Sequence, residues 1–203
     1  MAAVERPRDD KRNERRQRIL ALTWRLIARE GMQAASMRAI AAEAGYANGA
    51  LAYYFSGKDD LVRASYEYVF AQTAARIAGA TAGRSGLAAL EKLCDEVLPL
   101  DEEKLLEARI VLPFWTNAQH DRALAQIHEE GMVAWRAQMR RHLREAQKLG
   151  EIARATERKV AVQVEQLLAM LSGAQVLAVL SGTVHTAVMQ KALLRGFFES
   201  LAR

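Results

Sequence analysis

Residues 36–61, SMRAIAAEAGYANGALAYYFSGKDDL, decide how this chain is read. Ser36 has the side chain of a helix N-cap, because its hydroxyl accepts from an otherwise unpaired amide of the first turn. Ile40 and Ala41 form the apolar side of the short helix that follows, and Gly45 supplies the left-handed turn that ends it. A second short helix is expected from about Asn48, with Leu51 and Phe55 four residues apart as its core anchors. Asn48, Gly49, Ala50, Ala52 and Tyr53 then fall on its remaining surface. Ser56 and Asp59 have the S-x-x-D spacing of a capping box, so a third helix is expected to start near Gly57 and run through Leu61, Tyr66, Phe70 and Ile77. Two short helices joined at a glycine are the layout of a helix-turn-helix that docks on duplex DNA.

Upstream, Ile19, Leu22 and Leu26, with Leu20, Trp24 and Ile27 beside them, follow helical spacing from about Asn13 until Gly31. Residues 1–12 are polar and charged and are expected to form a mobile basic arm, in which Arg6, Arg8, Lys11 and Arg12 are candidates for DNA contact. Charge is uneven along the chain. Residues 1–58 hold 11 basic and 6 acidic side chains, whereas residues 59–203 hold 18 of each. The whole excess of positive charge therefore sits at the N-terminal end, where it suits a polyanionic partner.

Downstream, helical patterns are expected at residues 87–98 (stopped by Pro99), at 102–118 (kinked by Pro113) and at 121–149 (closed by Gly150). Two more are expected at about 157–180 and 186–202. No period-two strand pattern occurs, so the fold class is all-α. The expected organisation is an arm at 1–12, a three-helix helix-turn-helix domain at 13–58, and a helical ligand-binding and dimerisation domain at 59–203. From Leu167 to Gln190 the chain has no Asp, Glu, Lys or Arg. That length could span a bilayer, but the polar Ser181-Gly182-Thr183 turn favours two buried helices and no membrane partner. Both final helices are apolar on more than one face, which a second copy of the chain would cover in a two-fold, four-helix interface. The interface is expected at Val160, Val164, Leu167, Leu171, Leu177, Leu194, Phe197, Phe198 and Leu201.

The single cysteine, Cys94, excludes an internal disulfide and a multi-cysteine metal site, which fits a reducing cytoplasm. The N-terminal residues have no apolar core of a signal peptide. His120-Asp121, His128-Glu129 and His142 invite a metal or acid–base reading. Their steps of eight and fourteen residues lack the four-residue step that puts two ligands on one helical face, so no metal, cofactor or catalytic residue is expected, and the chain is read as no enzyme.

IAAEAG followed by GALAYYFSGKDDL resembles the signature of the TetR family of bacterial transcriptional regulators, through Gly45, Gly49, Leu51, Tyr54, Phe55, Lys58 and Leu61. The stretch RIVLPFWTNAQHDRALAQIHEEGMVAWRAQMRRHLREAQKLGEIA resembles the C-terminal domain of BetI-type members. Tyr46-Ala47 and Ala52 depart from the Val-Ser and Tyr common at those places, so Asn48 takes over the capping role and Tyr53 becomes the main groove-facing aromatic. The resemblance implies a cytoplasmic repressor that binds a palindromic operator as a homodimer and is released by a small-molecule effector. With the local geometry, it nominates Ser36, Arg38, Tyr54 and Lys58 for phosphates, and Asn48, Gly49, Ala50, Ala52 and Tyr53 for base reading. Pocket candidates are Tyr66, Phe70, Cys94, Phe114, Trp115, His128, Met132 and Trp135. A quaternary ammonium and a hydrophobic or aromatic effector both remain open. Two alternatives stand beside this reading: a DNA-binding dimer without an effector, whose large domain only dimerises or docks a protein, and, remotely, a small helical enzyme.

Overall fold

The computed structural model describes residues 6–47 and 49–201, with side chains from Asp10 onward. The expected roles of Asn48 and of the Arg6 and Arg8 side chains lie outside the described residues. Eight α-helices and one 3-10 turn occur among the described residues, with no strand. They are α1 (Arg6–Glu30), α2 (Met37–Glu43), a 3-10 turn (Ala50–Tyr53), α3 (Lys58–Thr81), α4 (Gly86–Val97), α5 (Glu102–Ala118), α6 (Arg122–Leu149), α7 (Glu157–Leu180) and α8 (Ala187–Leu201).

The chain divides into two compact units, Met1–Ala71 and Gln72–Arg203. The division falls inside α3, thirteen residues beyond the boundary expected after Lys58, because the start of that helix is part of the N-terminal unit. Helix α1 also begins earlier than expected, at Arg6, so residues 6–12 are helical and do not form an arm. Its sequence allows this: proline is tolerated in a first helical turn, where its missing N–H has no partner to lose.

In the N-terminal unit, Ile19, Leu20, Trp24 and Ile27 form the buried stripe of α1, while Leu22 and Leu26 are half-buried. Ile40, Ala41, Leu51, Phe55 and Leu61 are buried as well. In the C-terminal unit, α4 packs on α6, α5 packs on both α6 and α7, and α6 packs on α7. Leu90, Leu93 and Cys94 of α4 meet Met139 and Leu143 of α6 and Val160, Val164, Leu167 and Leu171 of α7 in one core. Burial pushes the Cys94 thiol up, so it remains a thiol and serves as a small apolar side chain.

Local signals set the helix ends. Asp121 accepts from the amides of Ala123 and Leu124 at 2.8 and 3.2 Å, and Thr156 accepts from Lys159 at 3.3 Å. Gly150, at φ 75°, closes α6 in the left-handed conformation that glycine adopts without steric cost. At the start of α4, Ser85 makes no cap. Carboxylates from the last turns of α6 and just beyond its end replace it: Glu145 accepts from the Gly86 amide at 3.2 Å, and Glu151 from the Leu87 amide at 2.8 Å.

Helix α7 is long and apolar enough to cross a membrane by length and composition. Val160, Val164, Leu167, Leu168, Leu171, Ala174 and Ala178 of that helix are nevertheless buried inside this chain. This corrects the expected interface. Val160, Val164, Leu167, Leu171, Leu194 and Leu201 belong to the chain's own core, Phe197 and Phe198 are half-buried against it, and only Leu177 of that set is well exposed. On these two helices and the turn between them, the large apolar side chains left exposed among the described residues are Val162, Leu177 and Leu180 of α7, Val184, and Val188, Met189 and Leu193 of α8. A helix apolar all round offers no internal signal of which side its own chain covers.

Candidate DNA-binding surface and ligand cavity

The helix-turn-helix is built from caps and turns. Ser36 Oγ accepts from the Ala39 amide at 3.1 Å and starts α2, which leaves its O–H free to donate. Gly45, at φ 73°, ends that helix, and the Tyr46 amide donates back to the Ala41 carbonyl at 2.8 Å. The expected recognition helix is shorter than the spacing suggested. Gly49 sits at φ 106°, which keeps it out of any right-handed helix, and only Ala50–Tyr53 form a 3-10 turn. Ala52 donates to Gly49 at 3.1 Å and Tyr54 to Leu51 at 2.9 Å, both three-residue closures, and Phe55 adds one four-residue closure to Leu51 at 2.9 Å.

The two faces fall as their periodicity requires. Leu51 and Phe55 are buried, Gly49 and Ala52 are exposed, Ala50 is half-buried, and Tyr53 is 66% exposed. Arg38 is exposed on α2. Lys58 is neither a bare surface charge nor free of the fold, since its ammonium donates to the Met32 carbonyl at 3.2 Å and ties α3 to the α1–α2 turn. The residue that reaches back to Ser56 is Asp60, not Asp59. Its carboxylate accepts from the Ser56 amide at 2.9 Å and from the Ser56 hydroxyl at 3.2 Å. The Ser56 amide holds the Asp60 carboxyl below its usual range.

A cavity of about 620 Å³ opens among α5, α6 and α7. Trp115 and Ala118 border it from α5, His128, Met132 and Arg136 from α6, and Glu165, Leu168 and Ser172 from α7. Trp115 meets the His128 ring edge-on at 6.5 Å between centroids, and Phe114 lies behind at 6.1 Å. His128 Nδ1 is buried with no hydrogen-bond partner among the described residues. Burial lowers its pKa, so near neutral pH the wall presents an uncharged imidazole with an open polar atom. Across the rim, Arg136 donates to both Glu165 oxygens at 2.7 and 3.2 Å. That hydrogen bonding holds the Glu165 carboxyl below its usual range.

Of the expected pocket residues, Trp115, His128 and Met132 border this cavity. Phe114 is buried behind it, Cys94 belongs to the core, and Trp135 packs against the core. Tyr66 and Phe70 belong to the N-terminal unit and do not border it. The sequence reading missed Arg136 and Glu165. Arg136 follows His128 and Met132 at four-residue steps and was within reach of pattern reading, whereas Glu165 takes its role from a neighbouring helix. Of the histidine–carboxylate pairs, Asp121 is a helix cap and the buried His142 bonds Glu145 at 2.9 Å. No group of three or more metal-ligating side chains occurs among the described residues.

The pattern of the bacterial regulatory proteins of the tetR family matches residues 19–65, and that of the BetI-type transcriptional repressor C-terminal domain matches residues 86–203. The chain belongs to the TetR family. This TetR-family transcriptional regulator is 29% identical over 170 residues to the HTH-type transcriptional regulator PksA of Bacillus subtilis, covering 82% of this chain and 80% of that one. It is 28% identical over 115 residues to the HTH-type transcriptional regulator BetI of Stenotrophomonas maltophilia, covering 56% and 59%. A proposed transcriptional regulator from Saccharomonospora viridis, crystallised in complex with choline, shares the TetR-family fold with a TM-score of 0.85 at 22% identity, over 92% of this chain and 96% of that one.

Proposed function

We propose that this regulator is a cytoplasmic repressor that binds a palindromic operator as a homodimer and leaves it when a small molecule fills the cavity bordered by Trp115, His128 and Met132. The observation that carries the DNA half is the exposed Gly49, Ala52 and Tyr53 surface held over buried Leu51 and Phe55. A small, rigid, largely uncharged surface flanked by Arg38 and Lys58 suits a base edge between two phosphates.

The uncovered apolar side chains of α7 and α8 support the dimer, because a second copy would remove Leu180, Val184 and Val188 from water. The cavity supports the effector. Its tryptophan, its neutral imidazole and the Glu129 carboxylate at its edge suit either a quaternary ammonium, such as the choline bound by the Saccharomonospora protein, or an uncharged aromatic. Arg136 already engages Glu165, which leaves Glu129 as the carboxylate for a cation.

Transmission would run through α3. That helix starts at Lys58 and, in its second half, carries Arg76, which is bonded to Glu107 on α5, the helix that also carries Trp115. Displacement of α5 by a ligand would then move α3 and change the spacing of the two recognition segments. Thermal melting against choline and a panel of aromatic metabolites, read alongside anisotropy of a duplex enriched from a randomised pool, tests the proposal. A ligand that raises the melting temperature and releases DNA is the expected result. Dimers that bind duplex but respond to no member of the panel, and whose cavity still admits none after Trp115→Ala, would favour the reading without an effector.

A further inference from the structure

On the N-terminal unit lies a concavity of about 560 Å³ that the helix-turn-helix reading above leaves unused. Lys11, Arg12 and Arg15 of α1 border it together with Tyr46, Tyr53 and Tyr54, and no carboxylate of the described residues is among its lining. Three cations beside three phenolic rings form a surface for an anion that brings several charges and a flat or apolar edge. The phosphate backbone of duplex DNA has that chemistry, and the recognition surface stands beside it.

Within the concavity the groups are not independent. The Arg12 guanidinium lies over the Tyr53 ring, 5.0 Å from its centroid. Tyr53 in turn meets Tyr54 edge-on, with centroids 5.0 Å apart and an angle of 87° between the rings. With two thirds of Tyr53 exposed, these two contacts are what direct the ring. Arg16 repeats the motif one turn later, 5.3 Å from the Phe55 centroid, so α1 carries a guanidinium over each of the two aromatics that bracket Tyr54.

We propose that this concavity is a second seat for the DNA backbone, and that Arg12 is a positioning residue which sets the Tyr53 ring for base reading while contacting a phosphate. The proposal rests on the reading that the exposed surface of residues 49–53 faces the groove. It makes α1 part of the specificity machinery, which a strut does not predict. A guanidinium pinned by a phosphate on one face and a tyrosine on the other couples backbone register to the direction of the reading side chain.

The experiment uses the full chain and the duplex that wild-type protein enriches from a randomised pool. Anisotropy gives affinity as a function of salt, and repeated enrichment gives base preference. Lys11→Ala is expected to weaken binding to all sequences alike, with preference unchanged. Arg12→Ala is expected to flatten the dependence of log K on log salt by about 0.9 per protomer, so its deficit against wild type shrinks roughly 3.5-fold per protomer between 50 and 200 mM salt. It is also expected to shift preference at the base positions that Tyr53→Ala shifts. In a Tyr53→Ala background, Arg12→Ala should still flatten the salt dependence while producing no further change in preference. Preference shifts at separate positions that add in the double variant would overturn the positioning role, as would an Arg12→Ala protein with wild-type preference. An unchanged salt slope in Arg12→Ala would overturn the phosphate seat. Failure of wild-type protein to enrich any duplex would instead remove the DNA-binding reading on which the proposal rests. Arg12 and Tyr53 are both exposed, so unaltered melting temperatures identify variants that fold.

Discussion

Replacing Arg76 by alanine tests the join between α3 and the cavity-bearing helices. Its guanidinium donates to Glu107 at 2.8 and 2.6 Å from two nitrogens and to Glu96 at 3.1 Å from the third. The Arg76 side chain is 34% exposed and that of Glu107 only 11%. Burial pushes the Glu107 carboxyl up, with Arg76 opposing it. Burial also works to lower Arg76, and its bonds to Glu107 and Glu96 more than reverse that. Removing one member of a fully buried pair costs about 3–5 kcal/mol, because the other charge is left desolvated. Water reaches the exposed third of the Arg76 site and softens this, so the expected loss for Arg76→Ala is about 2–3 kcal/mol. Glu96 keeps Lys104 at 3.6 Å, which confines the damage to Glu107.

The loss should depend on pH. A carboxyl whose folded pKa is raised favours folding where it is protonated, and that advantage disappears as pH rises from its unfolded value through its folded one. Without Arg76 the Glu107 carboxyl rises further, so the variant should be hurt more at pH 8 than at pH 5. Urea unfolding followed by far-UV circular dichroism, at one fixed protein concentration, measures both values. The Arg76→Met, Glu107→Leu double variant should return to within about 1 kcal/mol of wild type. A single variant within about 0.5 kcal/mol of wild type at pH 8, or equal losses at both pH values, would refute the reasoning.

Three further outcomes follow from the same structure. Val188→Asp, at a side chain 80% exposed, should convert the proposed dimer to monomer in light scattering. Leu167→Ala, fully buried in the chain's own core, should instead cost about 2–5 kcal/mol of stability, and the reverse pattern would restore the discarded interface. Lys58→Ala should weaken binding to all duplexes and lower the melting temperature through the lost bond to Met32, whereas Tyr53→Ala should change preference among sites with the melting temperature unchanged. Indistinguishable effects of the two in randomised-site selection would contradict this division. The His128 pKa is lowered by burial, so stability tied to its neutral form is present above its ordinary value near 6.5 and is lost as pH falls toward the lowered one. His128→Gln should flatten that acidic limb of the melting curve, and an unchanged slope would place the titration elsewhere.

Much of the helix-turn-helix was legible in order because its determinants are local. Ser36 caps α2 through an amide three residues away, Gly45 ends it, and Leu51 and Phe55 anchor the next turn. The length of that turn was not legible. Leu51 and Phe55 at four-residue spacing fit an α-helix, yet the φ of 106° at Gly49 and the three-residue closures produce a 3-10 turn with the same inward pair. The S-x-x-D spacing named Asp59 as the partner of Ser56, whereas the folded chain turns the next carboxylate, Asp60, back onto it.

In the larger unit, the helices and most of their caps come from the amino-acid order alone: Asp121, Gly150 and Thr156 each act within four residues of where they stand. Tertiary structure decided which sides of α7 and α8 the chain itself covers, since Val160, Val164 and Leu167 are no more apolar than Val162, Leu177 and Leu180 and differ only in what packs on them. It also decided the cavity, where Arg136 and Glu165 meet across two helices and His128 is left with an open Nδ1. Periodicity is a property of one helix at a time, whereas burial and cavities are properties of several helices together.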